Sequence, residues 1–306
     1  MGAKRRVKVI LRSLRVYSLP ASVIPVGLGA CVALREVTDA AWWLLPFVAV
    51  SVVCVHLGAN VVNDIMDYRR GIDSDRYRGS SGVAARGLLT TDQMVLEAAV
   101  LYAAGTAAGL VVTVQAGPVA LALGLVGIIG SYAYTGGPIA YKYCALGEPA
   151  IFILMGPLLV AGTARALSGV WSIGALVLSI PVGLLVTAIL LANNLRDMRH
   201  DAACGIDTLA IRLGFHRSAA VLVGLIFVSY GLVGVSMALG MLPPESGVVF
   251  LTFVAAVPMV KQVVWSNEGG SRALRTIDRK LAALHGLFGA TLCGSLIYVH
   301  LSGGRV

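Results

Sequence analysis

Two clusters of amide and carboxylate side chains stand at the ends of two long apolar segments of the chain. The first cluster is Asn60, Asn63, Asp64, Asp67 and Asp73, and the second is Asn193, Asn194, Asp197 and Asp201. In a helix with about 100° per residue, the first four members of the first cluster share one face, and the members of the second share another. Such faces offer the oxygen ligands that hard divalent cations prefer. A capped helix end is the plainer explanation for either cluster alone, but two similar clusters favour a metal site.

This pattern predicts a site that holds Mg²⁺ against a diphosphate. We expect the metal ligands to be Asn63, Asp64, Asp67, Asp73, Asp197 and Asp201. Mg²⁺ held by a few carboxylates completes its shell with phosphate oxygens and waters. The remaining phosphate charge requires Lys or Arg, and the candidates are Arg70, Arg76, Arg86, Lys142 and Arg196. An alternative role for each of these cations is to hold its loop on the inner side of a membrane.

Two further residues stand out near the clusters. Lys142 is alone in a mostly uncharged loop from Tyr134 to Gly147. Glycines there permit close backbone approach, and the tyrosines suit a pocket for an aromatic ring or a carbocation; an interfacial tyrosine belt is the alternative. His56 lies one helical turn before Asn60 on the same face. It either contacts a substrate or relays a proton, or it is a hydrogen-bonded packing residue.

The segments that must position these residues are long and apolar. Hydrophobic residues make up 58% of the chain and charged residues 13%, against about 25% charged in soluble domains. Candidate spans, each close to the roughly 20 residues that cross a bilayer, are 16–34, 41–62, 93–114, 117–135, 148–168, 171–193, 218–240, 246–264 and 281–301. The composition therefore predicts an all-α, polytopic membrane protein with nine transmembrane helices. Residues 1–306 form one domain in this interpretation, and residues 1–14 form a basic cytoplasmic segment.

Basic residues are distributed unequally between the two sides of the predicted bundle. With the N-terminus inside, every Lys and Arg falls on the inner side except Arg35, Arg165 and Arg305. The positive-inside rule then predicts a cytoplasmic N-terminus in a cell-membrane protein, with both clusters facing the cytoplasm. The same bias accounts for the net charge of +9 without a nucleic-acid partner.

The order of features is similar in the two halves of the chain. An apolar helix, an Asn-rich end, an Asp pair and a basic loop occur once in each half. This similarity between the halves suggests two half-bundles that face one cavity. Within one span, Gly105 and Gly109 have the spacing that suits close helix packing.

Several of these stretches resemble the UbiA superfamily of intramembrane prenyltransferases, whose members carry an N-x-x-x-D first motif and a D-x-x-x-D second motif. Here the motifs are Asn63-x-x-x-Asp67 with Asp73, and Asp197-x-x-x-Asp201. The finer resemblance is to the branch that prenylates 1,4-dihydroxy-2-naphthoate and to its animal relative that makes menaquinone-4. It is carried by Ser18–Ser22, Tyr134–Gly137 with Lys142, Asn193–Asp197, Thr208–Gly214 and Leu284–Gly289.

The resemblance implies an enzyme that transfers a polyprenyl group from a polyprenyl diphosphate to an aromatic acceptor in the bilayer, with Mg²⁺ as cofactor. Asp67, Asp197 and Lys142 would be catalytic. The substrate-binding residues would be Asn60, Asn63, Arg70, Arg76, Arg86, Tyr134, Lys142, Asn193, Asn194, Arg196 and His56. With dihydroxynaphthoate as acceptor, carbon dioxide would leave as the prenyl group arrives, giving demethylmenaquinone for menaquinone biosynthesis.

Two kinds of alternative stay open. The acceptor could instead be 4-hydroxybenzoate, a homogentisate or chlorophyllide type, haem, or the glycerol ether of archaeal lipids. A cation-coupled transporter is a different class, but transporters bind coupling ions near the middle of the bilayer. The two clusters here lie at helix ends beside basic loops, which favours the enzyme.

Overall fold

The structure, a computed structural model, describes residues 2–74, 81–266 and 274–303. Within these ranges it contains helices and no strand, apart from an isolated bridge between Cys144 and Asp207. The α-helices are α1 (Ala3–Ser13), α2 (Pro20–Glu36), α3 (Leu45–Arg69), α4 (Thr91–Ala116), α5 (Pro118–Ala133), α6 (Gly147–Ile153), α7 (Leu159–Ser168), α8 (Ile173–Ala203), α9 (Leu209–Leu213), α10 (Phe215–Ala238), α11 (Phe253–Val264) and α12 (Ile277–Leu301). The predicted all-α class is confirmed.

Eight helical segments of the described residues are long and apolar enough to cross a membrane. They are Val16–Glu36, Trp42–Arg69, Thr91–Ala116, Gly147–Ser168, Ile173–Ala203, Phe215–Ala238, Pro244–Val264 and Ile277–Leu301. The chain is therefore a multi-pass membrane protein. The remaining predicted span, 117–135, corresponds to α5, whose 16 residues rise about 24 Å and fall short of the roughly 30 Å hydrocarbon core. A ninth crossing stays a prediction.

Short irregular turns interrupt several of these segments. A π-helical turn, Leu154–Leu158, separates α6 from α7 and contains Pro157, which cannot donate a backbone hydrogen bond. A 3₁₀ segment, Pro244–Thr252, precedes α11. The eighth predicted span, 246–264, therefore begins as a 3₁₀ helix rather than as an α-helix.

Small residues let the helices approach closely at three crossings. A Cβ atom on Gly105 of α4 would lie 3.0 Å from the backbone oxygen of Ser51 in α3, so the close packing predicted for this glycine is confirmed. A Cβ atom on Gly156 would lie 3.0 Å from the Cα of Gly183 in α8. On Gly29 of α2 it would lie 2.5 Å from a backbone oxygen of α7. The contact at Gly29 is closer than a Cβ atom allows, and those at Gly105 and Gly156 are tighter than most Cβ contacts, so these glycines let the helices approach.

The packed helices line a partly open cavity of about 370 Å³. Its walls include residues of α3 from Val48 to Asn63 and of α8 from Val186 to Asn193, one helix from each half of the chain. The lining along α3 extends over about 22 Å. It is apolar near Val48 and becomes polar at His56, Asn60 and Asn63. The cavity thus has an apolar body and a polar end, which lies where the two predicted clusters meet.

Candidate active site

The first cluster occupies the last three turns of α3. Asn63, Asp64 and Asp67 are all buried, with exposed fractions of 4%, 1% and 4%. Beyond the helix end, Gly71 adopts a positive φ of 73°, and the backbone N–H of Asp73 donates back to the carbonyl of Asp67 at 3.2 Å. This reversal keeps Asp73, itself buried, beside the helix end that carries Asp67.

Lys142 lies at the centre of the first cluster. Its Nζ donates to Asn63 Oδ1 at 2.8 Å and to both carboxylate oxygens of Asp67, at 2.9 and 2.7 Å. The hydroxyl of Tyr143 also donates to Asp67 Oδ1 at 2.8 Å. The 3₁₀ turn Tyr141–Tyr143 presents these groups. The structure therefore brings Lys142, a predicted diphosphate-binding residue, against the first motif.

Asp64 faces a different set of partners from Asp67. Its two carboxylate oxygens accept hydrogen bonds from Arg15 and Ser81. Arg15 follows α1 in a left-handed conformation with φ of 51°, and its guanidinium lines the polar end of the cavity. The prediction that Asp64 helps to bind a metal is unchanged, but the protein already supplies this carboxylate with a cation.

The second cluster lies in the last turns of α8. Asp197 and Asp201 are 6% and 7% exposed. Asn193 lines the cavity, whereas Asn194 is turned away and donates to Glu148 Oε1 of α6 at 2.9 Å. The structure therefore brings Asn193 to the proposed substrate region and uses Asn194 to tie α8 to α6.

Arg196 connects this cluster to the last helix. Its Nε and Nη2 bind the two carboxylate oxygens of Asp197 at 2.7 and 2.6 Å. Its Nη2 also donates to Asn193 Oδ1 at 2.6 Å, and its Nη1 to Asp278 Oδ2 at 2.7 Å. Bidentate pairing of this kind fixes the orientation of both side chains. Arg196 is thereby held at the polar end of the cavity.

The two motifs are in electrostatic contact with each other. The charge of Asp201 interacts with those of Asp197 and Asp67, and with that of Lys142. The ring of His200 contacts the carbonyl oxygen of Ile72 at 2.7 Å, which joins the end of α8 to the turn after α3. The meeting of the two clusters, predicted from their order in the chain, is thus present in the structure.

The first span closes the side of the site next to α3. His56 Nδ1 lies 2.5 Å from Ser22 Oγ and its Nε2 lies 3.2 Å from Ser18 Oγ. Asn60 Nδ2 donates to the carbonyl of Leu14 and to Ser18 Oγ, each at 3.1 Å. Both side chains also line the cavity. His56 is therefore a hydrogen-bonded packing residue that still borders the predicted substrate region.

The predicted phosphate-binding arginines differ in position. Arg70 is exposed, and its guanidinium carbon lies 4.1 Å from the centre of the Tyr143 ring. Arg86 is also exposed, on the loop before α4. Arg76 lies outside the described residues. Of the predicted cations, Lys142 and Arg196 are the two that the described structure places against the motif carboxylates.

Tyrosines of the Lys142 loop stay protonated. Burial raises the pKa of Tyr134 well above its ordinary value, and the nearby charges of Asp67 and Glu148 raise it further. Burial likewise raises the pKa of Tyr143, and the Asp67 charge that its hydroxyl faces adds to the effect. Their hydroxyls are therefore hydrogen-bond donors near neutral pH rather than bases. Tyr134 also lines the cavity, as expected.

The donor chemistry of this site fits a divalent cation. Among the buried carboxylates of the motifs, Asp201 lies close enough to Asp197 and Asp67 for their negative charges to act on it. Bringing like charges together in a buried site is costly, so the site favours an added positive charge. In the ranges that the structure describes, no three His, Cys, Asp or Glu side chains form a ready metal cluster. Mg²⁺ does not need one, because one or two carboxylates suffice beside phosphate and water.

Sequence reasoning missed several residues of this site. Arg15, Ser81 and Glu148 bind members of the two clusters, and Asp278 binds Arg196, which holds Asp197. None belongs to either motif, and each lies far from its partner in the chain. The only sequence signal for Asp278 is that it is a single acid among basic residues.

Comparisons with known proteins show the family to which the chain belongs. Residues 22–284 match the UbiA prenyltransferase family. The chain is 35% identical over 294 residues to 1,4-dihydroxy-2-naphthoate octaprenyltransferase of Mycobacterium tuberculosis, covering 94% of this chain and 96% of that protein. It is 33% identical to the UbiA prenyltransferase domain-containing protein 1 homolog of Drosophila melanogaster, covering 94% and 79%.

A solved structure has the same fold. The UbiA homologue of Archaeoglobus fulgidus bound to GPP and Mg²⁺ aligns with a TM-score of 0.64 and 14% identity, covering 93% of this chain and 99% of that one. The family match covers most of the chain, and the helices and buried motifs agree with it. The chain belongs to the UbiA prenyltransferase family and is a membrane-embedded prenyltransferase.

Proposed function

We propose that this enzyme transfers a polyprenyl group from a polyprenyl diphosphate to 1,4-dihydroxy-2-naphthoate, with Mg²⁺ as cofactor. The observation that carries the proposal is the meeting of two buried Asp motifs at the polar end of an apolar cavity. The polar end suits the diphosphate, and the apolar body suits the prenyl chain. The naphthoate relative at 35% identity over nearly the whole chain supports this acceptor.

In this proposal the metal would be held by Asn63, Asp67, Asp73, Asp197 and Asp201, with Asp64 as a further carboxylate. Bound there, it would supply positive charge that stabilises the leaving diphosphate. Lys142 and Arg196 exchange part of their contacts with Asp67 and Asp197 for contacts with diphosphate oxygens, since both side chains already lie at the carboxylates that the metal would share. Arg70, Arg76 and Arg86 assist from the loop after α3.

The reaction breaks one bond of each substrate and makes one new bond. The C–O bond between the prenyl C1 and the diphosphate breaks, and Lys142 and Arg196 stabilise the charge that develops on the leaving group. The ring carbon that bears the carboxylate attacks the allylic cation. Its carboxylate then leaves as carbon dioxide, which gives the quinol form of demethylmenaquinone. His56, Asn60, Tyr134, Asn193 and Asn194 surround or support the acceptor end, and the apolar walls exclude water.

The proposed topology has nine crossings in the cell membrane, with the N-terminus and the active site on the cytoplasmic side. The contact of Lys142 with Asp67 supports this topology. Lys142 follows α5, and α4 has already carried the chain away from the end of α3, so α5 returns it. The single domain 1–306 then contacts polyprenyl diphosphate, the aromatic acceptor and the surrounding lipid, with no nucleic acid involved.

The test uses purified enzyme with Mg²⁺, geranylgeranyl diphosphate and a panel of hydroxylated aromatic acceptors, with the product followed by mass. We expect product from dihydroxynaphthoate, accompanied by carbon dioxide and abolished by chelation. Asp67→Asn and Asp197→Asn lower kcat about 100-fold or more, because each removes a metal-binding carboxylate. Asp39→Asn, an exposed aspartate far from both motifs, is the matched control and retains activity.

Other results would contradict the proposal at different levels. Product from another acceptor alone would show that dihydroxynaphthoate is not the acceptor, while the proposed prenyl transfer would stand. Full activity in the presence of a chelator would show that the reaction does not require a metal. Normal turnover by both motif variants would show that these carboxylates do not form the site.

A further inference from the structure

A buried carboxylate outside both motifs borders the same cavity. Asp278 lies in the first turn of α12, is 4% exposed, and lines the cavity at its polar end. Its Oδ2 accepts a hydrogen bond from Arg196 Nη1 at 2.7 Å. Its Oδ1 is inaccessible and has no hydrogen-bond partner among the described residues. One oxygen of this carboxylate is therefore hydrogen-bonded to Arg196, and the other has no hydrogen-bond donor in the described part of the chain.

An unsatisfied buried oxygen of this kind requires an explanation. Nearly all buried polar atoms in folded proteins have a partner, and a carboxylate oxygen without one is destabilising. The first turn of a helix is a favourable place for negative charge, but no group of that turn donates to Oδ1 here. Because the Asp278 side chain borders the cavity, a donor bound there supplies this hydrogen bond once the carboxylate turns toward it.

The chemistry of the substrates in the proposed function identifies that donor. A metal-bound diphosphate offers acceptor oxygens, which a carboxylate repels. The prenyl chain has no polar hydrogen. A hydroxylated aromatic ring carries O–H groups, and a phenolic O–H is a good donor to a carboxylate.

We propose that Asp278 is a specificity-determining residue that accepts a hydrogen bond from a ring hydroxyl of the aromatic acceptor. The inference rests on the proposed function, because it requires that the acceptor be a hydroxylated aromatic.

This assignment also gives Arg196 a second role. The same guanidinium binds Asp197 of the second motif and Asp278 of the last helix. The acceptor hydroxyl is thereby held at a fixed distance from the carboxylates at which the diphosphate is proposed to leave. Such fixed placement of two reacting groups accelerates a reaction between them.

The test compares wild type with Asp278→Asn in steady-state assays that vary each substrate separately. Asparagine can still accept from Arg196 through its oxygen, but then it presents an amide N–H₂ to the ring hydroxyl. We expect the KM for dihydroxynaphthoate to rise about tenfold or more, as for the loss of a hydrogen bond to a charged group. The KM for geranylgeranyl diphosphate stays within about twofold. Asp92→Asn, an exposed acid in the first turn of α4, is the matched control.

A second arm uses the two monomethyl ethers of dihydroxynaphthoate as competitive inhibitors. Wild type should bind one ether about tenfold more weakly than the parent, because methylation removes the donated hydrogen. In Asp278→Asn this difference should vanish, since losses at two interacting groups are not additive. If Asp278→Asn fails to fold, Asp278→Glu keeps the charge for Arg196 and moves the free oxygen. It should raise the acceptor KM in the same way.

Three results would overturn the inference while leaving the proposed function in place. A rise in the diphosphate KM alone would mean that Asp278 acts only by holding Arg196. An increased Mg²⁺ requirement would make Asp278 a metal ligand. Unchanged kinetics in both variants would leave the carboxylate without a role in binding. Failure of the proposed function would be distinct, because wild type itself would then make no product from dihydroxynaphthoate.

Discussion

At the scale of single residues, three of the motif carboxylates already have a cation from the protein itself. Asp64 pairs with Arg15, Asp67 with Lys142, and Asp197 with Arg196. These pairs neutralise buried charge while no metal is bound, which would otherwise be costly. The same cations are close enough to turn to a diphosphate once a metal replaces them at the carboxylates.

Lys142 provides a test of this exchange. Lys142→Met removes both the internal partner of Asp67 and a stabiliser of the leaving group. We expect kcat to fall about 100-fold or more, as when one stabilising donor is lost, while Mg²⁺ binding in the absence of substrate becomes tighter. Isothermal titration with Mg²⁺, run beside the activity assay, separates the two effects. Weaker Mg²⁺ binding in the variant would contradict the exchange.

At the scale of helices, α5 differs from its neighbours because none of its residues is buried. Gly124, Gly127 and Ile128 of this helix line the cavity, whereas Ile129 is 63% exposed on its surface. A Cβ atom on Gly124 would meet nothing within 4 Å. The helix is thus a wall whose inner surface has unfilled space.

Filling that space should change which donors the enzyme accepts. Gly124→Leu adds a side chain to the cavity without disturbing a helix contact. We expect kcat/KM to fall more for long polyprenyl diphosphates than for geranyl diphosphate, by about tenfold in the ratio, because only a long chain reaches Gly124, about three turns of helix away from Tyr134. Gly231→Leu, at an open position of α10 that does not line the cavity, is the control. An equal loss for all chain lengths would argue against this wall as a determinant of length.

At the scale of the whole molecule, the bundle places the polar end of the cavity on the side where α3 and α8 end. Two exposed cysteines, Cys144 and Cys204, lie on the same side, in the loop after α5 and at the end of α8. The remaining cysteines, Cys31, Cys54 and Cys293, lie within spans. The natural cysteines thus report which face of the membrane carries the site.

This distribution allows the proposed orientation to be measured. A membrane-impermeant maleimide should label Cys144 and Cys204 in inverted membrane vesicles and leave them unlabelled in right-side-out vesicles. A variant with both changed to serine should take up no label in either preparation. Labelling from the outside would place the active site on the opposite face.

Much of this architecture could be predicted from local patterns. Asn63 and Asp67 are one turn apart on one helix, so periodicity alone places them on one face. The hydropathy of the sequence predicts all eight long spans. It also predicts a ninth at α5, which is too short for its length alone to show that it crosses the membrane. The partners of the motifs could not be predicted, because Arg15, Glu148 and Asp278 reach them across 49, 46 and 82 positions of the chain. Such contacts depend on helix packing, which no local pattern records.

The position of α5 has a consequence for how the enzyme is assayed. One helix alone separates the cavity from the surrounding lipid at this wall. A polyprenyl substrate dissolves in that lipid rather than in water. Its effective concentration is therefore its mole fraction in the bilayer or the detergent micelle, and adding detergent dilutes the substrate while its amount per volume stays constant. Kinetic constants for the donor should accordingly follow the surface composition rather than the bulk concentration.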